Sequence, residues 1–344
     1  MQLASIFTDG AVFQRDREIR VFGTGIGEFR AQFLGEQQSV SANGSFQVNF
    51  KARPAGGPYE MHVWLNGEEK VLRNLMIGEV FILAGQSNAE LTVAETYDVD
   101  TLFPSDDRIR LFSPSRPATD EQKQIVPLND DFNEKWVPLQ TENAKSWPAI
   151  GLHTARQIAK SLSVPVGVIA LFKGASVIQS FLSDDANKRF PYDRELMMAD
   201  HFQEIYPWNT PSFLFHYMIE KVVPYESGCV VWYQGESNRS EFEATFYDRM
   251  LVALTDEWRA LFQNESLPFV VIQINRFPSF EANAGILGIM KAQERAAGQI
   301  PHCELVKIDD MGEYERIHPM NKREVSERVC RAIENLTGLS ICEA

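Results

Sequence analysis

The pattern of the chain changes near residue 75, and that change constrains the fold more than any other feature. Up to about residue 74, short runs alternate apolar and polar side chains between turn residues. Ile19-Arg20-Val21-Phe22 precedes Gly23-Thr24-Gly25, Phe29 to Leu34 precedes Gly35, Ser45 to Phe50 follows Asn43-Gly44, and Tyr59 to Leu65 precedes Asn66-Gly67. Alternation with period two gives a strand one buried face. At this spacing and punctuation it predicts a small antiparallel β-sandwich over residues 1–74.

Over residues 75–344 strands and helices alternate instead. Val80 to Ala84, Val164 to Leu171, Cys229 to Tyr233, Phe269 to Ile274 and Glu304 to Ile308 read as strands buried on both faces. Between them, Leu152, Ala155, Ile158, Ala159 and Leu162 share one helical stripe, and Phe246, Met250, Leu254, Trp258 and Leu261 mark a long helix from about Glu241 to Phe262. A helix over Ile286 to Ala297 follows, and a last one is expected to open at Pro319. Such alternation implies a parallel sheet covered on both faces, with ligands beyond the carboxyl ends of its strands.

The chain has 344 residues, 44% hydrophobic and 23% charged, enough apolar material for large cores. Its formal net charge of −14 disfavours nucleic acid and anionic membrane surfaces as partners. The longest apolar runs are strand-length, well short of the roughly 20 residues of a membrane span. The first residues lack a basic segment followed by an apolar core, so no signal peptide is expected and a cytoplasmic location is. Cys229, Cys303, Cys330 and Cys342 are far apart and read as reduced packing residues; with no HxxxH pair among the six histidines, no metal site is expected. Oligomeric state is not encoded in any feature of this kind.

The residues after the strands carry the chemistry. Gly85-Gln86-Ser87-Asn88 puts a serine in a strand-to-helix turn, where backbone N–H groups surround the hydroxyl, although a serine there also commonly caps a helix. Lys173-Gly174-Ala175-Ser176 offers a glycine for close backbone approach, and Gln234-Gly235-Glu236-Ser237-Asn238 offers side-chain amides. Glu315-Arg316-Ile317-His318-Pro319 sets a carboxylate three residues ahead of a histidine. Nucleophile, base, orienting acid and oxyanion donors, each at a strand end, are what acyl transfer through serine requires.

Three ordered segments, Gly78 to Asn88, Val231 to Asn238 and Ile317 to Lys322, together with the opening Ile6 to Arg15, resemble the sialate O-acetylesterase family of SGNH hydrolases. The resemblance runs along nearly the whole chain. It implies a flavodoxin-like three-layer α/β/α domain with Ser87 as nucleophile, His318 as general base and Glu315 as the orienting acid. The family normally has aspartate at that position, which makes Asp309 and Asp310 the fallbacks. It also implies an oxyanion hole built from the N–H groups of Ser87 and Gly174, with Gln234 or Asn238 adding a side-chain donor. Phe172-Lys173-Gly174 departs from the family's Trp-Gly-Gly and puts a cation at the edge of the site.

Gln86, Glu236, Lys173 and Arg316 are candidate substrate-binding residues, with Glu236 better suited to bracing its loop. Arg239 and Arg276 are further cations that could meet a sialate carboxylate, and Trp147, Trp208 and Tyr206 could stack on a sugar. The implied reaction is removal of O-acetyl groups from a sugar or short oligosaccharide through an acetyl-enzyme, with no cofactor. Sialate is the leading substrate and acetylated xylan or manno-oligosaccharide the alternative. A catalytically decayed carbohydrate-binding protein is the reading of another class. The absence of a Gly-x-Ser-x-Gly elbow argues against a general lipase.

Overall fold

A computed structural model describes residues 1–191, 205–277, 284–313 and 316–342. The chain is mixed α/β with a mainly parallel central sheet. Six strands precede the nucleophile turn: β1 (Gln2–Leu3), β2 (Val12–Gln14), β3 (Ile19–Phe33), β4 (Glu36–Phe50), β5 (Gly56–Leu65) and β6 (Glu68–Gly85). The hairpins β3–β4 and β5–β6 turn on Leu34-Gly35 and Asn66-Gly67, two-residue loops whose positive φ angles suit the right-handed twist of the flanking strands. Asn43-Gly44 and Gly23-Thr24-Gly25, expected to be turns, instead lie inside the long β3–β4 ladder. Gly25 and Gly44 face one another there, both at positive φ, so the glycines shape a continuous hairpin instead of ending strands. The N-terminal strands are joined by hydrogen bonds through β6 to the parallel strands in one 12-stranded ladder.

Strand β6 explains the change near residue 75. It runs unbroken through that point, mostly exposed up to Asn74, where only Leu72 is buried, and buried at every residue from Leu75 to Gly85. Its first half pairs antiparallel with β5 and parallel with β2; its second half lies parallel between β11 (Val166–Phe172) and β12 (Cys229–Tyr233). Outward from β11 come β7 (Asp106–Phe112) and the antiparallel edge β10 (Trp136–Leu139); outward from β12 come β13 (Phe269–Ile272) and β14 (Cys303–Val306). A small separate ribbon joins β8 (Pro117–Thr119) to β9 (Ile125–Pro127). The strands after β6 are added first on its β11 side and then on its β12 side, so its carboxyl end is a topological switch point.

Successive side chains of the parallel strands enter two cores. Phe81, Leu83, Val231 and Tyr233 pack with helices α2 (Ala149–Leu162) and α5 (Lys322–Thr337). Ile82, Ala84, Val230 and Trp232 pack with α3 (Tyr247–Leu261) and α4 (Ala284–Ala297), in a cluster that extends without interruption to Phe29, Phe33 and Phe50 of the N-terminal strands. The long helix expected from Glu241 is interrupted before α3 at Phe246, whose φ of −138° is not helical. Helix α5 begins at Lys322, three residues after Pro319, because the Asn321 side chain accepts the Glu324 N–H and caps it.

Candidate active site

At the carboxyl end of β6, Gly85 has φ +133°, and a Cβ there would sit 2.1 Å from the Tyr233 carbonyl oxygen. Only glycine lets β6 and β12 close up and turn the chain into the short helix α1 (Ser87–Glu90). Ser87 is the first residue of α1, so its N–H has no intrahelical acceptor. Its hydroxyl lies 2.8 Å from His318 Nε2, bringing together residues 231 positions apart. Burial, with the nearby Lys322 charge adding to it, pushes the His318 pKa below the ordinary imidazole value, while Glu95 opposes the shift. The histidine is therefore neutral near pH 7 and able to take a proton.

Glu315 lies outside the described residues. Of the two fallback acids, Asp310 is exposed and holds Arg328 of α5, and Asp309 is half-buried on the same turn. Glu313 accepts the Met320 N–H, fastening the His318 loop from its far side.

The oxyanion candidates are arranged differently from one another. Gly174 stands beside Ser87, where a Cβ would be 3.8 Å from that of the serine, but its N–H donates to Glu90 Oε2 at 2.6 Å. Glu90 is also held by Arg116, at 2.7 Å. Gln234 and Asn238 are fully buried and commit both amide protons internally. Gln234 donates to Ser176 O and Asn238 Oδ1, and Asn238 to Gln179 Oε1 and Glu243 Oε1. The side chain of Gln86 also turns inward, where Oε1 accepts from the N–H groups of Gly235 and Ser237, so it braces that loop instead of facing substrate.

Glu236 is buried as well, and its carboxylate accepts from Asn88 Nδ2 at 2.6 Å; it too faces away from any substrate. The pattern around the serine motif gave no sign of the part played by Asn88 or Glu90, nor did the third segment for Lys322. Only their position inside or next to those segments could have marked them.

At the rim, the Lys173 ammonium lies 4.4 Å over the Trp208 ring, and burial lowers its pKa, with Glu90 opposing. Trp208 donates its indole N–H to Gly174 O and packs against Tyr206. These three residues therefore adjoin the Gly174 turn. Arg316 is exposed beside Met320, Arg276 is exposed, and Arg239 folds back on the Glu236 carbonyl. Trp147 is a core residue bonded to Asn143 and is not placed to stack on a sugar. Among the described residues, no group of three His, Cys, Asp or Glu side chains is arranged to hold a metal ion.

Comparison with known proteins yields a consistent set. A family model described as carbohydrate esterase, sialic acid-specific acetylesterase, matches residues 77–332. Sialate O-acetylesterase of Pongo abelii is 24% identical over 341 residues, covering 87% of this chain and 62% of that protein. The Homo sapiens protein of the same name is 24% identical over 314 residues, covering 80% and 57%. The chain spans less than two thirds of the length of these curated relatives. A crystal structure of a carbohydrate acetylesterase from Xanthomonas citri superposes with a TM-score of 0.82 at 26% identity, covering 98% of this chain and 75% of that one.

Proposed function

Because the chain belongs to the sialic acid-specific acetylesterase family of carbohydrate esterases, we propose that it is a serine esterase removing O-acetyl groups from sugars, with sialate as the leading substrate. The observation that carries this reading is the 2.8 Å contact between Ser87 Oγ and His318 Nε2 at the switch point of the sheet. The flavodoxin-like three-layer arrangement, and a sandwich-like N-terminal unit, belong to the same reading.

In this mechanism His318 takes the Ser87 proton as Oγ attacks the acetyl carbonyl carbon. The carbonyl oxygen becomes an oxyanion facing the N–H groups at the start of α1. Collapse breaks the bond to the sugar oxygen, which leaves with the proton from His318. Water, deprotonated by the same histidine, then attacks the acetyl-enzyme and releases acetate and Ser87. Glu315 is the acid assigned to orient the imidazole. The Gly174 N–H joins the oxyanion hole when the Glu90 carboxylate turns away from it and keeps Arg116; one such donor is worth about 10²–10³ in rate. Lys173, beside Trp208 and Tyr206, is the cation best placed to meet a sialate carboxylate, and this supports sialate over a neutral oligosaccharide.

The test is acetate release by the wild type and by Ser87→Ala from 9-O-acetylated sialic acid, acetylated xylo-oligosaccharides and acetylated manno-oligosaccharides. Wild-type turnover that falls at least 10³-fold in a folded Ser87→Ala protein is the expected result. Comparable release from the variant rejects the nucleophile, and preference for a neutral oligosaccharide rejects sialate while keeping the mechanism.

A further inference from the structure

Behind Ser87 and His318 lies a buried polar chain that the acyl-transfer steps do not use. Lys322, the first residue of α5, is fully buried, and its Nζ donates to Asn88 Oδ1 at 2.6 Å. The Asn88 Nδ2 donates both to Glu236 Oε1, at 2.6 Å, and to the Ile317 carbonyl, at 3.0 Å. Asn88 follows the serine directly and Ile317 precedes the histidine directly. One side-chain amide therefore ties the nucleophile turn to the base loop, and its orientation is dictated by an ammonium on one end and a carboxylate on the other. With the two ends of the amide engaged by groups of opposite hydrogen-bonding character, flipping it would face donor with donor and acceptor with acceptor.

We propose that Lys322 is a positioning residue that, through Asn88 and opposite Glu236, fixes the register of Ser87 against His318. The inference rests on the esterase reading only for its kinetic consequence.

Charge complementarity supports it. A lone buried ammonium is costly, and here it faces Glu236 from the loop after β12 and Glu313 from the loop after β14, with the Tyr233 ring 5.1 Å from Nζ. Burial brings its pKa down to about 7, against the pull of the two carboxylates. Among the described residues, the charged groups acting on His318 besides its burial are Lys322, which disfavours the imidazolium, and Glu95, which favours it. Removing the lysine charge therefore raises the imidazole pKa. A merely space-filling lysine would leave it unmoved.

The experiment uses the full chain and three proteins: wild type, Lys322→Met, and Lys322→Met/Glu236→Gln. The double variant removes both buried charges and so leaves none unpaired, keeping the test open if the single variant does not fold. The His318 imidazole is titrated by NMR, and hydrolysis of an acetyl ester is measured across pH. In both variants the imidazole pKa is expected to rise, kcat to fall about 10²-fold, and KM to stay within about threefold. An unshifted imidazole with kcat within twofold of wild type overturns the proposal. A shifted imidazole in a wild type that hydrolyses no acetyl ester overturns the esterase reading and leaves the charge effect of Lys322 standing.

Discussion

His318 is half-buried at the surface of the site, and both its burial and the Lys322 charge act in one direction on its basicity. A base with a lowered pKa is already unprotonated at neutral pH and loses activity only on acidification. The acid limb of kcat/KM is therefore expected to have its midpoint below 6.5, with no further gain between pH 7 and 8 from this group. A pH–rate profile checks this, and a midpoint above 7 would contradict it. Glu90 is the other single residue of consequence, because its carboxylate occupies the Gly174 N–H beside Ser87. No sequence pattern announces such a contact. It depends on a turn from β6 and a turn from β11 meeting side by side, and nothing local to either encodes that meeting.

At the level of elements, the strand-end loops divide into those that present groups to the site and those that support it. The loop after β12 is a support: Gln86 accepts its N–H groups, and Asn238 accepts from Ile178 N and Gln234 Nε2 while donating to Gln179 and Glu243. Asn238→Ala strips partners from four buried groups and is expected to cost about 2–4 kcal/mol, a fall in Tm of roughly 3–6 °C. Below that transition kcat should stay within about tenfold of wild type; a loss of 10²–10³ would make the amide an oxyanion donor after all. Much of the element order was legible, because Val80 to Ala84 and Cys229 to Tyr233 are apolar at every position, as strands buried on both faces must be. The meeting of Ser87 and His318 was legible because both lie in ordered segments, Gly78 to Asn88 and Ile317 to Lys322, that resemble one esterase family. Where Gln86, Gln234 and Asn238 point was not, since an amide reads the same in sequence whether it faces a ligand or a neighbouring carbonyl. Strand β7 and edge strand β10 went unread: β7 begins with the charged run Asp106-Asp107-Arg108, and β10 has only four residues.

For the whole molecule, the decisive object is β6, which belongs to the N-terminal antiparallel ladder at one end and to the parallel sheet at the other. Contacts beyond the strand reinforce the union. Tyr225 donates to the Val12 carbonyl at 2.8 Å, Trp136 to Ile6 O at 2.9 Å, and Arg110 to Gly10 O at 2.7 Å, all from the later part of the chain to the earlier. The change of pattern near residue 75 is visible in sequence because burial along the strand becomes continuous there, while the backbone continues without a linker. Calorimetry is expected to record one melting transition for the full chain, and two well-separated transitions would refute that. A strand that carries Ser87 at its tip and the N-terminal ladder along its base also leaves no hinge between them. Exchanging the first seventy-odd residues for another module would therefore mean rebuilding the strand that holds the nucleophile.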